Sequence, residues 1–340
     1  MHWFVRRMKG KVIEGNFLET GDGDIFEVRG LVHPSDGYIA YARYIRSKCG
    51  NRKSKHGHTY RKLSTLSEKM SYAQKKTPFY LQFDTAKDRV IQIVPKSDVV
   101  RILNPIEHLR ELVELGAESK FERDVVDFST NLSTKTGVRL ENMGIIGSHL
   151  AGLALSSSDI DFIVYGCDNG RKFYSKLGEI LSQHDEFERY SGKGLVEHTQ
   201  LRWGRTNNIA ALEILEEQKV LQGRFRSRDF FIRLVPDESD VRHEYGDHVT
   251  RSSGLVYRTC KIVDDCKAIF TPCEYSVQCD DDPFLTKIVG YQSRFAEVAS
   301  EGMTVRVFGK LESVISRIYG FHRQIVLGGN ASSSLLPISA

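Results

Sequence analysis

The pattern of apolar and polar residues divides the chain into three stretches of different character. Up to about residue 103, short runs rich in β-branched and aromatic residues are separated by turn residues. From 104 to 245, helix-like and strand-like patterns alternate, and after 246 short β-rich runs return between Gly, Pro and Asp. Alternation of this kind predicts a mixed sheet with helices. We therefore expect an α+β protein whose central core is flanked by β-rich segments.

The N-terminal stretch, residues 1–103, contains one clear hairpin signal. The runs 24–32 and 38–45 lie on either side of a His-Pro-Ser-Asp-Gly turn at 33–37. Pro, Asp and Gly favour the backbone angles of a turn, so the two runs are expected to pair.

The central stretch, residues 104–245, begins with a capped helix. Asn104 is a favourable N-cap and Pro105 suits the first helical position. Further helices are predicted at 121–132, 173–181 and 209–220, and strands at 143–146, 159–165 and 222–235.

The C-terminal stretch, residues 246–328, predicts a small β-domain that can close into a barrel. Its strands are expected at 255–263, 268–277, 304–311 and 318–327, and residues 329–340 are expected to be a flexible tail. Four of the six cysteines, Cys260, Cys266, Cys273 and Cys279, lie within this domain. Because no two are spaced as Cys-x-x-Cys, we favour buried free thiols over a zinc site.

Composition narrows the class of protein. The chain has 340 residues, 40% of them hydrophobic and 27% charged, which is ordinary for a folded globular protein. It contains neither a secretory leader nor an apolar run long enough for a membrane span, so we expect a cytoplasmic protein with no membrane partner.

Basic residues are concentrated in one segment. Between residues 42 and 62 there are eight Lys or Arg and no acidic residue, although the net charge of the whole chain is only +4. Such a segment is either a mobile solvated loop or an arm that follows the phosphates of a nucleic acid or nucleotide, and both interpretations stay open.

The clearest chemical signal is a Gly-Ser pair between a predicted strand and a predicted helix. At such a junction Gly147 permits close approach of a phosphate, and backbone N–H groups and the Ser148 hydroxyl can donate to it. We expect this turn to bind a triphosphate.

Ten residues separate Ser148 from a second signal, Asp159-Ile160-Asp161, at the start of the next strand. Alternate side chains of a strand share a face, so the two carboxylates converge while Ile160 points into the core. Two neighbouring carboxylates repel unless a cation compensates them, and Mg²⁺ prefers oxygen ligands. The spacing therefore predicts a site for one or two Mg²⁺ ions.

This pattern resembles the polymerase-beta superfamily of nucleotidyltransferases, in which Gly-Ser or Gly-Gly is followed by Asp-x-Asp and by a third carboxylate on a later strand. The resemblance implies that Asp159 and Asp161 are catalytic metal ligands. Asp229 is the candidate for the third carboxylate, as a metal ligand or as the base toward the attacking hydroxyl, and Asp237 is its competitor. Aligning residues 232–236 with the corresponding strand of archaeal CCA-adding enzymes instead puts Arg233 at the acidic position, which leaves no third acid.

The chain as a whole resembles an archaeal family of predicted nucleotidyltransferases. The likeness covers most of the chain and includes residues 28–34 with 39–41, 147–166, 222–233, 264–265 with 269–273, and 309–312. It implies a nucleotidyltransferase core between β-rich segments and does not identify the substrate.

These observations predict transfer of a nucleoside monophosphate from an NTP to an acceptor hydroxyl, with release of pyrophosphate. Arg233 is a candidate for clamping the triphosphate, as are three nearby arginines, although arginines on strands are commonly exposed edge residues (Arg224, Arg226, Arg228). The basic segment and the possible barrel favour RNA as the acceptor, while a protein or a small molecule stays open. A different class also stays open, namely a non-catalytic nucleic-acid-binding or regulatory protein on the same scaffold.

Overall fold

The N-terminal stretch folds into an eight-stranded antiparallel sheet. A computed structural model describes residues 11–183, 185–204, 209–328 and 333–338. The strands of this sheet are β1 (Phe17–Thr20), β2 (Ile25–Val28), β3 (Gly37–Arg46), β4 (Arg52–Lys53), β5 (Thr59–Lys62), β6 (Leu81–Asp84), β7 (Arg89–Pro95) and β8 (Val99–Leu103), with helix α1 (Leu66–Lys76) after β5. Strands β2 and β3 pair antiparallel, so the predicted hairpin is confirmed.

The central stretch is a five-stranded mixed sheet with helices. Its elements are α2 (Pro105–Leu115), α3 (Lys120–Thr136), β9 (Met143–Ile145), α4 (Gly147–Leu150), β10 (Ile160–Tyr165), α5 (Cys167–Leu181), β11 (Phe187–Glu188), α6 (Gly192–Trp203), α7 (Ile209–Gln218), β12 (Gln222–Phe225) and β13 (Arg228–Val235). The strand order is β11-β12-β13-β10-β9, and β10 and β13 run parallel. Together with the flanking sheets, this makes the described chain a mixed α+β protein.

Local sequence chemistry explains where some of these elements begin and end. Asn104 caps α2 as predicted, because its Oδ1 accepts from the backbone N–H groups of Ile106 at 2.9 Å and Glu107 at 3.2 Å. The prediction of a single strand over residues 222–235 was wrong, because the structure has two strands there, β12 and β13. The chain turns back at Arg226 and Ser227, which both have positive φ, and Phe225 pairs with Arg228.

The C-terminal stretch is a six-stranded sheet. Its strands are β14 (His248–Lys267), β15 (Cys273–Gln278), β16 (Leu285–Gly290), β17 (Thr304–Ser316), β18 (Gly320–Leu327) and β19 (Ser334–Pro337). Strand β14 pairs with both β15 and β17, which turns the sheet back on itself without making a clear barrel. Strand β19 pairs with β17 and lies in the segment expected to be a flexible tail, of which 329–332 and 339–340 are outside the described residues.

The cysteines are only partly as expected. Cys260 and Cys279 form a disulfide between β14 and the end of β15, so the prediction of free thiols was wrong for these two. Cys273 is a buried free thiol and Cys266 is an exposed one. The spacing along the chain carries no information about which cysteines meet after the strands pair.

The two faces of the central sheet pack against different partners. On one face, Phe162 and Phe230 join the aromatic core around Phe128 of α3. On the other face, Ile163 and Tyr165 pack against apolar side chains of the N-terminal sheet. The N-terminal sheet therefore covers the face of β10 that carries Asp161. No helix of the described residues is long and apolar enough to cross a membrane.

Candidate functional site

The Gly-Ser turn lies directly against the start of β10. The backbone N–H of Ile146 donates to the carbonyl of Asp161 at 2.9 Å, which fixes the turn beside the strand. Gly147 has φ +68°, and a Cβ at this position would collide with Oδ2 of Asp161. Only glycine meets both conditions without strain. Ser148 is buried, and its Oγ lies 3.3 Å from the Oγ of Ser158.

Asp159 and Asp161 lie on one face of β10, as the alternation predicted. Ile160 and Phe162 are fully buried in the helix-covered core, whereas Asp159 is exposed and Asp161 is half-buried under the N-terminal sheet. Desolvation raises the pKa of both carboxyls, and for Asp159 the charges of Asp161 and Asp229 raise the pKa further. Both groups would therefore be stabilised as carboxylates by a cation.

The basic segment supplies positive charge to this pair. The segment is folded as the end of β3 and the β4–β5 hairpin, so it is not a loop throughout. Burial and the nearby Arg43 lower the pKa of Lys62, and the charges of Asp161 and Asp159 oppose that shift. Arg52 donates to the carbonyl of Leu153 at 2.8 Å, which holds the hairpin against the loop that joins the Gly-Ser turn to β10.

Asp229 lies beside Asp159 on the neighbouring strand. Ile160 of β10 is paired with Phe230 of the parallel strand β13. Asp159 and Asp229 each come one residue earlier, so they lie side by side. The Nε of Arg224 donates to Oδ1 of Asp229 at 3.0 Å, and burial followed by the charge of Asp229 raises the pKa of Tyr190. Within the described ranges, no group of three or more His, Cys, Asp and Glu side chains is arranged to hold a metal ion.

Asp237 is far from this group. It follows the end of β13 and caps a short 3₁₀ turn by accepting from the backbone N–H of Ser239 at 2.8 Å. The eight residue steps between Asp229 and Asp237 correspond to about 26 Å of extended chain. Asp229 is therefore the only one of the two candidates that the fold brings next to Asp159.

Arg233 shares a face of β13 with Asp229 but is engaged elsewhere. Its Nη1 lies 2.9 Å from Oε1 of Glu14 and 3.5 Å from Oε1 of Glu27, both on the N-terminal sheet side. Burial opposes ionisation of Glu27, but Arg29, Lys69 and other neighbouring cations hold its pKa well below the ordinary value. This geometry favours a role for Arg233 in joining the two sheets over the predicted role in binding a triphosphate.

The other arginines of the β12–β13 hairpin also have carboxylate partners. Arg226 forms ion pairs with Asp127 and Glu186. Arg228 binds Asp124 at 3.0 Å and donates to the carbonyls of two serines of the loop before Asp159, Ser156 at 2.9 Å and Ser158 at 2.8 Å. The serine loop is thereby fixed to the strand that carries Asp229.

A cavity of about 560 Å³ opens beside Asp159 and Asp229. Ser156, Ser157, Lys120 and Arg228 also line it. Its walls are almost entirely polar side chains, so it suits a hydroxyl-bearing or charged group better than an apolar one.

His149, which follows Ser148, is directed away from the carboxylates. Its Nδ1 lies 2.8 Å from Nε2 of His108 on α2, and its ring packs against Phe121. Burial, followed by the charge of His108, lowers the pKa of His149 to about 4. It is therefore a neutral core residue at physiological pH.

Tyr190 was not predicted to lie at this site, whereas Arg224 and Lys62 were considered as phosphate-binding residues and not as neighbours of the aspartates. Arg224 of β12 binds Asp229 directly. The charge of Asp229 contributes to the raised pKa of Tyr190, and the charges of Asp159 and Asp161 act on Lys62 of the N-terminal sheet. The basic segment and the arginines of residues 224–233 gave signals in the sequence, but their carboxylate partners depend on how the strands assemble.

Comparison with known proteins finds a relative that is itself uncharacterised. An uncharacterised protein of the archaeon Methanocaldococcus jannaschii is 25% identical over 331 residues, which cover 94% of this chain and 96% of that protein. No protein-family model matches the chain. No solved structure matches it either.

Proposed function

We propose that this chain is a metal-dependent nucleotidyltransferase that transfers a nucleoside monophosphate from an NTP to an acceptor hydroxyl and releases pyrophosphate. The observation that carries the proposal is the contact between the Gly147 turn and Asp161, with Asp159 on the same face of β10. A turn with close backbone access and a carboxylate pair in contact with it can hold a triphosphate and its cation together. A mixed sheet with helices on one face is also compatible with a polymerase-beta-type core.

The residues of the site fit Mg²⁺ in chemistry and in charge. Asp159 and Asp161 offer oxygen ligands, and because burial raises the pKa of both carboxyls, a bound cation would offset the cost of keeping them ionised. When bound, Mg²⁺ would neutralise negative charge on the reacting phosphate and on the leaving pyrophosphate. Asp159 and Asp161 would hold it, and Gly147 and Ser148 would donate to the β- and γ-phosphates.

The cations of the basic segment extend this phosphate site. Lys62 and Arg43 come from the strands that cover Asp161, and both act electrostatically on its carboxylate. In the nucleotide complex they would face the triphosphate, where ammonium and guanidinium groups stabilise phosphate oxygens. Arg233, which is held by Glu14 and Glu27, has no part in this step of the proposal.

The acceptor would enter through the polar cavity beside Asp159. Asp229 would orient its hydroxyl group or accept its proton, as general bases do when they lie within hydrogen-bond reach. For this step the carboxylate of Asp229 must exchange its contact with Arg224 for one with the acceptor. RNA is the acceptor that we favour, and protein and small-molecule acceptors are separate outcomes of the test.

The Arg224–Asp229 ion pair also favours a second candidate function. If Asp229 stays neutralised, the scaffold binds nucleotide or nucleic acid without transferring a nucleotide. This alternative predicts binding by the site and no covalent product.

Labelling distinguishes the two candidates. The intact protein is incubated with Mg²⁺ and each α-labelled NTP, together with total RNA, total protein or metabolites of a cell extract. We expect one pool to become labelled, and we expect the label to fall to background in Asp159→Asn/Asp161→Asn. The matched control is Asp168→Asn/Asp185→Asn, which removes two exposed carboxylates and keeps the label. Absence of label in every pool, or equal labelling by the site variant, contradicts the proposal.

A further inference from the structure

The C-terminal sheet presents a mixed aromatic and basic surface on its outer side. Strands β14 and β17 pair antiparallel, and residues directly opposite each other point to the same side of a sheet. Cys260 opposite Val305, with the nearby Val307, faces the buried core. The alternate pairs face outward, and we name them the β14–β17 face: Leu255–Lys310, Tyr257–Phe308, Thr259–Arg306 and Lys261–Thr304.

An aromatic pair occupies the middle of the β14–β17 face. Tyr257 is 56% exposed and lies directly opposite Phe308, which is partly exposed. The neighbouring Leu255 is 52% exposed. Large apolar side chains that stand together in water are costly to maintain, and such patches commonly mark a binding surface.

Positive charge lies on both sides of the aromatic pair. Arg306 and Lys261 are exposed beyond it, and neither forms an ion pair with any residue in the described part of the chain. On the opposite side Lys310 binds Glu312 at 2.8 Å. The eight residues of the face include no acidic side chain. Two cations of the face are therefore available to an anionic partner.

The order of these groups matches the chemistry of an unpaired nucleic-acid strand. Bases stack on aromatic rings, and the phosphates between them bind Lys and Arg. The six residue steps along the face span about 20 Å, which is enough for several nucleotides. A duplex would present its phosphates and keep its bases stacked internally, so it would leave Tyr257 and Phe308 unused.

We propose that the β14–β17 face binds single-stranded nucleic acid, with bases stacked on Tyr257 and Phe308 and phosphates bound by Arg306 and Lys261. The proposal goes beyond the nucleotidyl transfer suggested for the central sheet and does not depend on it. Binding at the face involves neither Asp159 nor a divalent cation. In an RNA-modifying enzyme, the β14–β17 face would bind a part of the substrate strand that does not react.

The test measures binding of fluorescent oligonucleotides to the full chain by anisotropy. The probes are a 12-nucleotide RNA, a DNA of the same sequence and the RNA duplex. We expect single strands to bind more tightly than the duplex, and Tyr257→Ala to weaken single-strand binding about 5- to 150-fold, since one stacked base contributes about 1–3 kcal/mol. Tyr257→Phe keeps the ring and should retain the affinity.

Salt dependence tests the contribution of the cations. Each phosphate neutralised on a single strand contributes about −0.7 to the slope of log affinity against log salt. Lys261→Ala/Arg306→Ala should therefore reduce the steepness by about 1.4. The matched control is Arg139→Ala/Arg317→Ala, which removes two exposed arginines from other surfaces and should leave the slope unchanged.

Three results would overturn the proposal: no binding of either single strand, unchanged binding by Tyr257→Ala, or equal affinity for the duplex. A change of molar mass in Tyr257→Ala without any nucleic-acid binding would identify the face as a contact between copies of the chain. The rise in melting temperature with Mg²⁺ and a non-hydrolysable NTP should be the same in Tyr257→Ala as in the parent protein. Failure of nucleotidyl transfer is thereby distinguished from failure of the β14–β17 face.

Discussion

Replacement of Gly147 by Ala tests the geometry of the site at a single atom. Gly147 has φ +68°, and an added Cβ would collide with the carboxylate of Asp161. Gly152 provides a matched control five residues later, since it has φ +66° and no atom within 4 Å of an added Cβ. The two substitutions introduce the same backbone strain and differ in the collision with Asp161.

The expected magnitudes follow from these two contributions. A non-glycine residue in the left-handed region costs about 1–2 kcal/mol. Ala also restricts the unfolded chain, which offsets about 0.4–1 kcal/mol. Gly152→Ala should therefore lower the free energy of unfolding by roughly 0.5–1 kcal/mol. In Gly147→Ala the added methyl would also lie 2.9 Å from the Cβ of Asp161, so a new rotamer alone does not relieve the collision and the strand must shift. Overpacking of this kind adds about 1–3 kcal/mol.

Urea-induced unfolding of both variants measures the difference, and ligand stabilisation gives a second observable. We expect Gly147→Ala to be less stable than Gly152→Ala by about 1–3 kcal/mol. We also expect it to lose the rise in melting temperature that Mg²⁺ and a non-hydrolysable NTP produce, whereas Gly152→Ala keeps it. Equal destabilisation together with equal ligand response would refute the contact between the turn and Asp161.

Two further predictions concern pH and the disulfide. Burial raises the pKa of Asp161 above the value near 3.9 that it has in the unfolded chain. Between these two pKa values the folded state binds more protons than the unfolded state. The stability of the metal-free protein therefore falls as the pH rises through this window. Asp161→Asn should therefore be more stable than the parent protein near pH 7, and denaturant titrations should show this difference disappear below about pH 4. A difference that stays constant over this pH range would contradict the raised pKa of Asp161. The Cys260–Cys279 bridge has a sequence separation of 19, and a loop of this length predicts a loss of about 3 kcal/mol on reduction. Unfolding with and without dithiothreitol checks this, and an unchanged midpoint would count against the bridge.

The sequence allowed prediction of features that depend on neighbouring residues. The α2 cap at Asn104 and the outward alternation of Asp159 and Asp161 follow from local chemistry, and the structure contains both. The turn at Arg226–Ser227 was missed because two-residue hairpin turns with positive φ usually contain Gly or Asn. Here the pairing of β12 with β13 overrides that local preference.

Features that depend on distant contacts were not predictable. Arg233 meets Glu14, which lies 219 residues earlier, so its sequence context gave no indication of a buried partner. The same limit applies to Lys62, which approaches Asp161 only because the N-terminal sheet packs on the face of β10. Conversely, Asp229 could be chosen over Asp237 only when the parallel register of β10 and β13 was known.

The most direct test of the central proposal is the thermal stability of the protein in the presence of Mg²⁺ and non-hydrolysable NTP analogues. A ligand that binds only the folded state at a concentration 100 times its Kd adds about 2.7 kcal/mol of stability. We predict a rise in melting temperature that requires both Mg²⁺ and nucleotide and disappears in Asp159→Asn/Asp161→Asn. An unchanged melting temperature of the parent protein with all four nucleotides, or the same rise in the variant, would contradict a metal and triphosphate site at Gly147, Asp159 and Asp161.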